Sequence, residues 1–320
     1  MNIGKSGVSF SLGKRGLWTT VGRNGIRQSL SLPGTGFCHT FVHKFKRGRQ
    51  QKTGSMTSKQ YRWGMWTRLL MSTEERIFTA GIEYLLAGDK SMALNMFNQI
   101  STVVDASFII LVLQFNNLNH NACMEAVRNI EKDVGALGNL FTKYDFELDL
   151  EVQITPLLKV VARPCNTMLK LLQARILHLC ARTVDACNLL LDLYKDNAQN
   201  DVVRIALLDL VLSSTSDKKW LEFLLSITEK VTNGTLEGAL LLYYRARVML
   251  QLKRYREAMF ALSMADYKSK LLTPEIKLAI LKVRANLFDL MGDCKRSQAL
   301  WKRILISNPT DEQACSKVIF

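Results

Sequence analysis

The sequence predicts an α+β chain: a small N-terminal antiparallel β-meander, then a mainly helical repeat region with one short β insertion near residues 146–162. Three observations predict it. Glycine recurs with a period of nine between Ile3 and Gly36. From Ser72 onward the apolar residues take helical spacing, and between Phe146 and Ile154 they alternate with period two. Residues 1–43 therefore read as a basic glycine-phased meander, 44–72 as a basic flexible linker and 73–320 as a helical repeat domain.

Written in nines, the start reads IGKSGVSFS, LGKRGLWTT, VGRNGIRQS and then LSLPGTGFC. One glycine column holds Gly4, Gly13 and Gly22, and the other holds Gly7, Gly16 and Gly25. Glycine adopts positive φ without steric cost, so these columns read as turns. Between them Val8, Phe10 and Leu12 alternate with Ser9 and Ser11, and Leu17, Thr19 and Val21 alternate with Trp18 and Thr20. Ile26, Leu30 and Leu32 follow in the same manner, and Pro33-Gly34-Thr35-Gly36 reads as the end of the sheet. Lys5, Lys14, Arg15 and Arg23 gather at the turns. A phosphate-binding loop would need a glycine ahead of Gly4-Lys5-Ser6, before residue 1. A calcium-binding nonapeptide roll would need an Asp in each unit, and none is present. The matches at Lys5-Ser6-Gly7, Ser11-Leu12-Gly13, Gly16-Leu17, Val21-Gly22, Gly25 and Leu32-Pro33-Gly34-Thr35-Gly36 make this segment similar to a bacterial family known as domain of unknown function 4236. That resemblance implies a fold and a bacterial origin, and it brings no catalytic residue.

Charge is concentrated at the same end. Positions 1–72 hold 13 of the 43 Lys and Arg and none of the 28 Asp and Glu, so the rest of the chain is close to neutral. A field of one sign points to an anionic partner: nucleic acid, a membrane surface or an acidic protein. Lys44, Lys46, Arg47, Arg49, Lys52, Arg62 and Arg68 are the candidate contacts. Tyr61, Trp63 and Trp66 interleave with Arg62 and Arg68, a mixture that can stack on single-stranded bases or lie in a lipid interface. Packing as a cap on the first helix is the favoured reading, because Gly64 weakens an amphipathic helix here. The acid-free start imitates a mitochondrial presequence, but its glycine phasing is incompatible with the amphipathic helix such a segment forms. No apolar run approaches the ~18 residues of a membrane span.

Ser72-Thr73-Glu74-Glu75 supplies an N-cap and an acidic first turn. Gly81, Tyr84, Gly88, Ala93 and Phe97 then resemble the tetratricopeptide consensus, a resemblance that implies small residues letting paired helices approach and aromatic residues filling the gaps. The pattern returns at Ala285, Phe288, Gly292, Ser297, Trp301 and Ile304, with a closing Pro309. One repeat earlier it stands at Ala246, Met249, Ala258, Leu262 and Ala265. A weaker copy has Ala174, Leu177, Ala186 and Leu190, and a further helix pair is expected at 201–212 and 220–231. On these residues the chain resembles degenerate tetratricopeptide repeats from 73 to 314. The resemblance implies stacked helix pairs with a concave face that binds a peptide or protein. The insertion departs from the pattern: Phe146, Leu148, Leu150, Val152 and Ile154 alternate with Glu147, Asp149, Glu151 and Gln153, followed by Pro156 and Pro164. This acidic strand either pairs with a neighbour's edge or folds over the helices, and its charge complements the basic meander.

No chemistry emerges from the remaining candidates. Cysteines at 38, 123, 165, 180, 187, 294 and 315 form no CxxC pair and read as free thiols, with Cys180 inside a helix and buried. Cys38, His39 and His43 form the one metal-like group, but HxxxH spacing needs a helix and a fourth ligand is missing. His178 lies in an apolar run and reads as a core or interface residue, and His120 has no nucleophile beside it. The expectation is a cytoplasmic, non-enzymatic interaction scaffold without cofactor or metal. Its helices bind a protein or peptide and its basic end docks to an anionic partner. The alternatives are nucleic-acid binding through the basic arm and membrane-surface association through residues 60–71.

Overall fold

A computed structural model describes the backbone of five strands between Asn2 and Lys44, and the chain from Met71 to Val318 apart from residue 268. The chain divides into two compact units, Met1–Lys59 and Gln60–Phe320. The linker residues Lys46, Arg47, Arg49, Lys52, Arg62 and Arg68, with Trp63 and Trp66, lie outside the described residues.

In the first unit β1 (Asn2–Gly4), β2 (Gly7–Lys14), β3 (Leu17–Gly22), β4 (Gly25–Ser31) and β5 (Cys38–Lys44) form one antiparallel sheet in sequence order. Gly4 faces Gly7, Lys14 faces Leu17 and Gly22 faces Gly25, so two residues separate the paired ends of each of the first three strand pairs. The register aligns Ile3 with Val8, Phe10 with Val21, Leu17 with Leu30 and Val21 with Ile26, which keeps the alternating apolar positions in common rows. The sheet does not end at Pro33-Gly34-Thr35-Gly36. Thr40, Phe41 and Val42 favour extended backbone, and β5 pairs along all of β4, which would otherwise be an open edge. Lys44 accordingly closes β5 opposite Gly25 and does not open a linker. His39 and His43 stand in the extended backbone of this strand, which places their Cα atoms about 13 Å apart. The helical spacing a metal pair needs is absent there.

The second unit begins with two helix pairs, α1 (Thr73–Leu86) with α2 (Lys90–Gln99), and α3 (Val104–Asn116) with α4 (His120–Glu131). A 3-10 turn at Val134–Ala136, the short α5 (Asn139–Lys143) and a hairpin of β6 (Glu151–Thr155) and β7 (Leu158–Val161) follow. Stacking then resumes with α6 (Asn166–Leu179) and α7 (Thr183–Asp196), α8 (Asp201–Ser214) and α9 (Lys218–Ile227), and α10 (Leu236–Gln251) and α11 (Tyr255–Asp266). The last pair, α12 (Pro274–Leu290) and α13 (Cys294–Ser307), is closed by α14 (Glu312–Val318). The acidic segment 146–150 is thus not part of the ladder, although its alternation is kept as burial: Phe146 is buried and Glu147 and Asp149 are exposed.

Five of the six described pairs turn in the same way. After α1, α3, α6, α10 and α12 a residue takes positive φ: Gly88 (87°), Leu118 (58°), Ala181 (60°), Lys253 (60°) and Gly292 (78°). Each time its N–H reaches back to the carbonyl three positions earlier, and the next N–H reaches back five, as in Gly292 to Asp289 and Asp293 to Phe288. This double closure satisfies carbonyls that the helix end leaves open. The pair α8–α9 turns through Thr215 and Asp217 without such a residue.

Small residues set the closeness of the pairs. Ala93, Ala246, Ala258 and Ala285 are fully buried. A Cβ on Gly81 would lie 2.6 Å from the Phe97 ring, so that ring fills the space a side chain would need. Trp301 is 1 % exposed and donates its indole N–H to Asp289 at 3.2 Å. Tyr84, expected to fill a gap, is instead 36 % exposed, and Phe288 is half-buried beneath Arg296.

Two sets of substitutions test these turns and contacts by urea unfolding. Lys253→Gly is expected to raise stability by about 0.5–1 kcal/mol by relieving the left-handed backbone, and Gly292→Ala to lower it by about 1–2 kcal/mol. Gly81→Ala is expected to cost about 1–3 kcal/mol through the clash with Phe97.

Candidate interaction surface

The first helices α3 and α8 are buried over most of their surface. In α3 every residue except Gln114 and Asn116 is buried, and α8 buries nine of its 14 residues. The second helices bury one stripe only, as in α7 with Ala186, Leu190 and Leu193. What covers the first helices is the chain's own hairpin: β6 packs on α3, α6 and α8. Val152, Ile154, Thr155 and Leu158 are at most 2 % exposed, while Glu151 and Gln153 face outward. The acidic strand therefore folds over the helices and covers α3, α6 and α8.

Polar groups fix the insertion at several points. Asn116 Nδ2 donates to the Glu151 carbonyl at 3.1 Å. Asp105, 1 % exposed in α3, accepts the N–H groups of Gly138 at 2.5 Å and Leu140 at 2.6 Å, holding the start of α5. Burial pushes its carboxyl above the usual range, against those N–H donors. Lys143 pairs with Glu75, which also completes the capping box at Ser72, and the lysine holds that carboxyl low. Tyr244 Oη donates to Asp209 at 2.9 Å, and burial pushes its phenol far up.

His178 sits in a small cavity beneath the hairpin with Ile154, Arg175, Ala206 and Asp209. Its buried Nδ1 has no hydrogen-bond partner among the described residues. Desolvation, with Arg175 adding to it, lowers its pKa below 6.5, while Asp209 opposes the shift. Cys123 beneath α3 has its thiol pushed up to about 11 by burial. Cys180 is exposed at the end of α6, not buried in a helix, because the chain turns at Ala181.

Away from the hairpin, one seam between pairs is open. A groove of about 430 Å³ runs between the end of α9, α10 and α11. Leu242, Met249 and Ala261 lie beside Phe260 and Met264, with Lys230, Arg245 and Arg256 around them. Phe260 is 69 % exposed. Met264, Tyr267 and Leu271 are exposed further along the chain. Arg245 is held by the Thr228 carbonyl at 2.6 Å, at the C-terminal end of α9, where a cation suits the helix dipole. Arg284, at the same place in the next repeat, makes the corresponding reach to the end of α11, to the Leu262 carbonyl and Asp266. Of the groove residues the sequence pattern marks only Met249, as a repeat position and not as part of a site. The repeat offset that takes Ala246 to Ala285 was the available signal, since it aligns Arg245 with Arg284 and leaves Phe260 opposite Ala299. A second crevice of about 580 Å³ lies between α5 and the segment 145–149, rimmed by Asp145, Glu147, Asp149 and Arg163.

Among the described residues no group of three or more His, Cys, Asp and Glu is placed to hold a metal ion. No helix among them is long and apolar enough to cross a membrane. Of the candidate anion contacts only Lys44 is described, by its backbone alone.

Residues 1–40 match the family described as protein of unknown function (DUF4236). No curated protein matches the chain. Among solved structures, a thermophilic TPR protein of Thermus thermophilus is similar at 15 % identity and a TM-score of 0.40, over 77 % of this chain and all of its own. The helix pairs themselves, with their small-residue contacts and repeated turns, define a helical repeat unit.

The lowered His178 gives a signed pH dependence. Its stabilising contribution is fully present above the ordinary histidine value of 6.5 and is lost as pH falls through the lower folded value. His178→Asn is expected to flatten the dependence of the urea midpoint on pH below 6.5, with the parent chain losing stability there.

Proposed function

We propose that this protein is a non-enzymatic, cytoplasmic protein–protein interaction scaffold. The helical unit binds a peptide or protein through its outer seams, and the basic N-terminal region docks to an anionic partner. The observation that carries this reading is an open groove in the helical unit lined by the exposed apolar residues Phe260 and Met264. Exposed apolar side chains at the mouth of a groove favour a partner that removes them from water. The acid-free stretch 1–72 supports an electrostatic anchor, with Lys44, Lys46, Arg47, Arg49, Lys52, Arg62 and Arg68 as its charges.

The test is capture from bacterial lysate on the full chain, with and without nuclease and across a salt series. The expected result is a protein partner that survives nuclease and is retained when those seven cations are changed to Gln. Recovery that vanishes with nuclease, falls steeply with salt and is lost with the seven substitutions would make nucleic-acid binding the function instead.

A further inference from the structure

We propose that the groove between α9, α10 and α11 is a docking site for a short acidic peptide segment that carries a large apolar side chain. The apolar side chain enters between Leu242, Met249, Phe260 and Met264, and neighbouring carboxylates meet Lys230, Arg245 and Arg256. The inference rests on the scaffold reading and names the class of its ligand.

Charge and shape specify the occupant together. The groove lining has three cations and one acid, Glu257. That acid is engaged by Arg254, which lies outside the lining and donates to it from Nε at 2.8 Å and Nη2 at 2.5 Å. Lys230, Arg245 and Arg256 form no ion pair among the described residues. Arg245 is positioned in advance by the Thr228 carbonyl, so little ordering remains for a ligand carboxylate to impose. Guanidinium groups suit carboxylates because two N–H donors can address two oxygens. The aliphatic floor rewards an apolar side chain, which a phosphodiester backbone does not present. A volume of about 430 Å³ is in the range of ligand clefts.

An internal comparison shows that the repeat does not require this surface. The repeat offset that takes Ala246 to Ala285 takes Phe260 to Ala299 and Met264 to Arg303. The helix α13 is built to the same plan and packs against α12 without the aromatic ring or the thioether. Phe260 and Met264 are therefore additions to the architecture, and their exposure weakens the free protein's solubility unless something covers them.

The test uses the full chain as bait for a phage-displayed library of random dodecapeptides, followed by fluorescence anisotropy of the selected peptides. Peptides combining a large apolar residue with two or more carboxylates are expected. Their affinity should fall by about tenfold or more in Phe260→Ser and in Arg256→Glu, in keeping with loss of a buried anchor or a charge contact. Lys295→Glu and Ala299→Ser, at the matching positions of α13, should leave binding unchanged. All four positions lie on exposed helix surface, and circular dichroism confirms folding of each variant. Acidic or other peptides that bind every variant equally overturn the groove while the scaffold reading stands. Selected peptides without the acidic–apolar combination also overturn it. Failure to select any peptide overturns the groove and the scaffold reading together. Binding of oligothymidylate that is lost in the same two variants assigns the groove to nucleic acid and rejects the peptide.

Discussion

The helical unit depends on covering helices that are apolar on every side. Val104 to Leu113 offers no polar stripe for water except Asp105 and Ser107, and both are buried and hydrogen-bonded. One partner helix covers about half of such a cylinder. The next pair covers more, and the remaining side needs a third element, which β6 supplies with Val152, Ile154 and Leu158. Each of these side chains gains about 1.5–3 kcal/mol from burial, as an upper figure. The insertion is consequently part of the core. Asp105 shows the same dependence from the other direction, since its carboxylate in α3 is the cap for α5.

The hairpin covers α3, α6 and α8 and leaves the seam beside α10 and α11 open. A stack of helix pairs has one seam for every junction, and the arginine near the middle of a first helix reaches the end of the preceding second helix at two of them. Arg245 and Arg284 share this geometry, so the reach belongs to the architecture. What differs is the side chains around it. At the α12 junction Arg284 is drawn to Asp266. At the α10 junction the second contact is missing and an apolar groove lies beside the guanidinium. The same structural arginine is thereby neutralised at one seam and available at the other.

Legibility in the sequence followed the range of the interaction. The glycine phasing gave the hairpin positions because both strands of a tight turn are local, and the pairing of Gly4 with Gly7 and Gly22 with Gly25 follows from it. The last strand was missed because Pro33-Gly34-Thr35-Gly36 reads as a terminator, while β5 is specified by the open edge of β4. Gly81 and Ala93 were readable as close-approach positions since the repeat fixes their spacing. Tyr84 and Phe288 follow the same spacing yet stay partly outside, because Phe97 already fills the gap at Gly81 and Arg296 covers Phe288. The alternation from Phe146 marks a β insertion but not which strand pairs with it: the partner, Leu158–Val161, carries Lys159 and lies beyond Pro156. Residues from three successive elements between Thr228 and Met264 form the groove, so no pattern within a single helix marks it.

The turns tie local chemistry to that groove. Asp89, Asn119 and Asp293 follow their positive-φ residues and accept an N–H from the next helix, as good N-caps do. Arg182 and Arg254 stand at the same place and cannot accept. They instead reach forward to an acid in the first turn, Asp185 and Glu257. The Lys253-Arg254 turn is locally poorer than Gly292-Asp293, with a side chain in left-handed backbone and no side-chain cap. Its compensation is electrostatic. Arg254 takes up Glu257, the single carboxylate in the groove lining, and leaves the field there to Lys230, Arg245 and Arg256. An Asp in place of Arg254 would improve the cap and return a free acid to the groove, so the weaker turn and the positive seam are one choice of sequence.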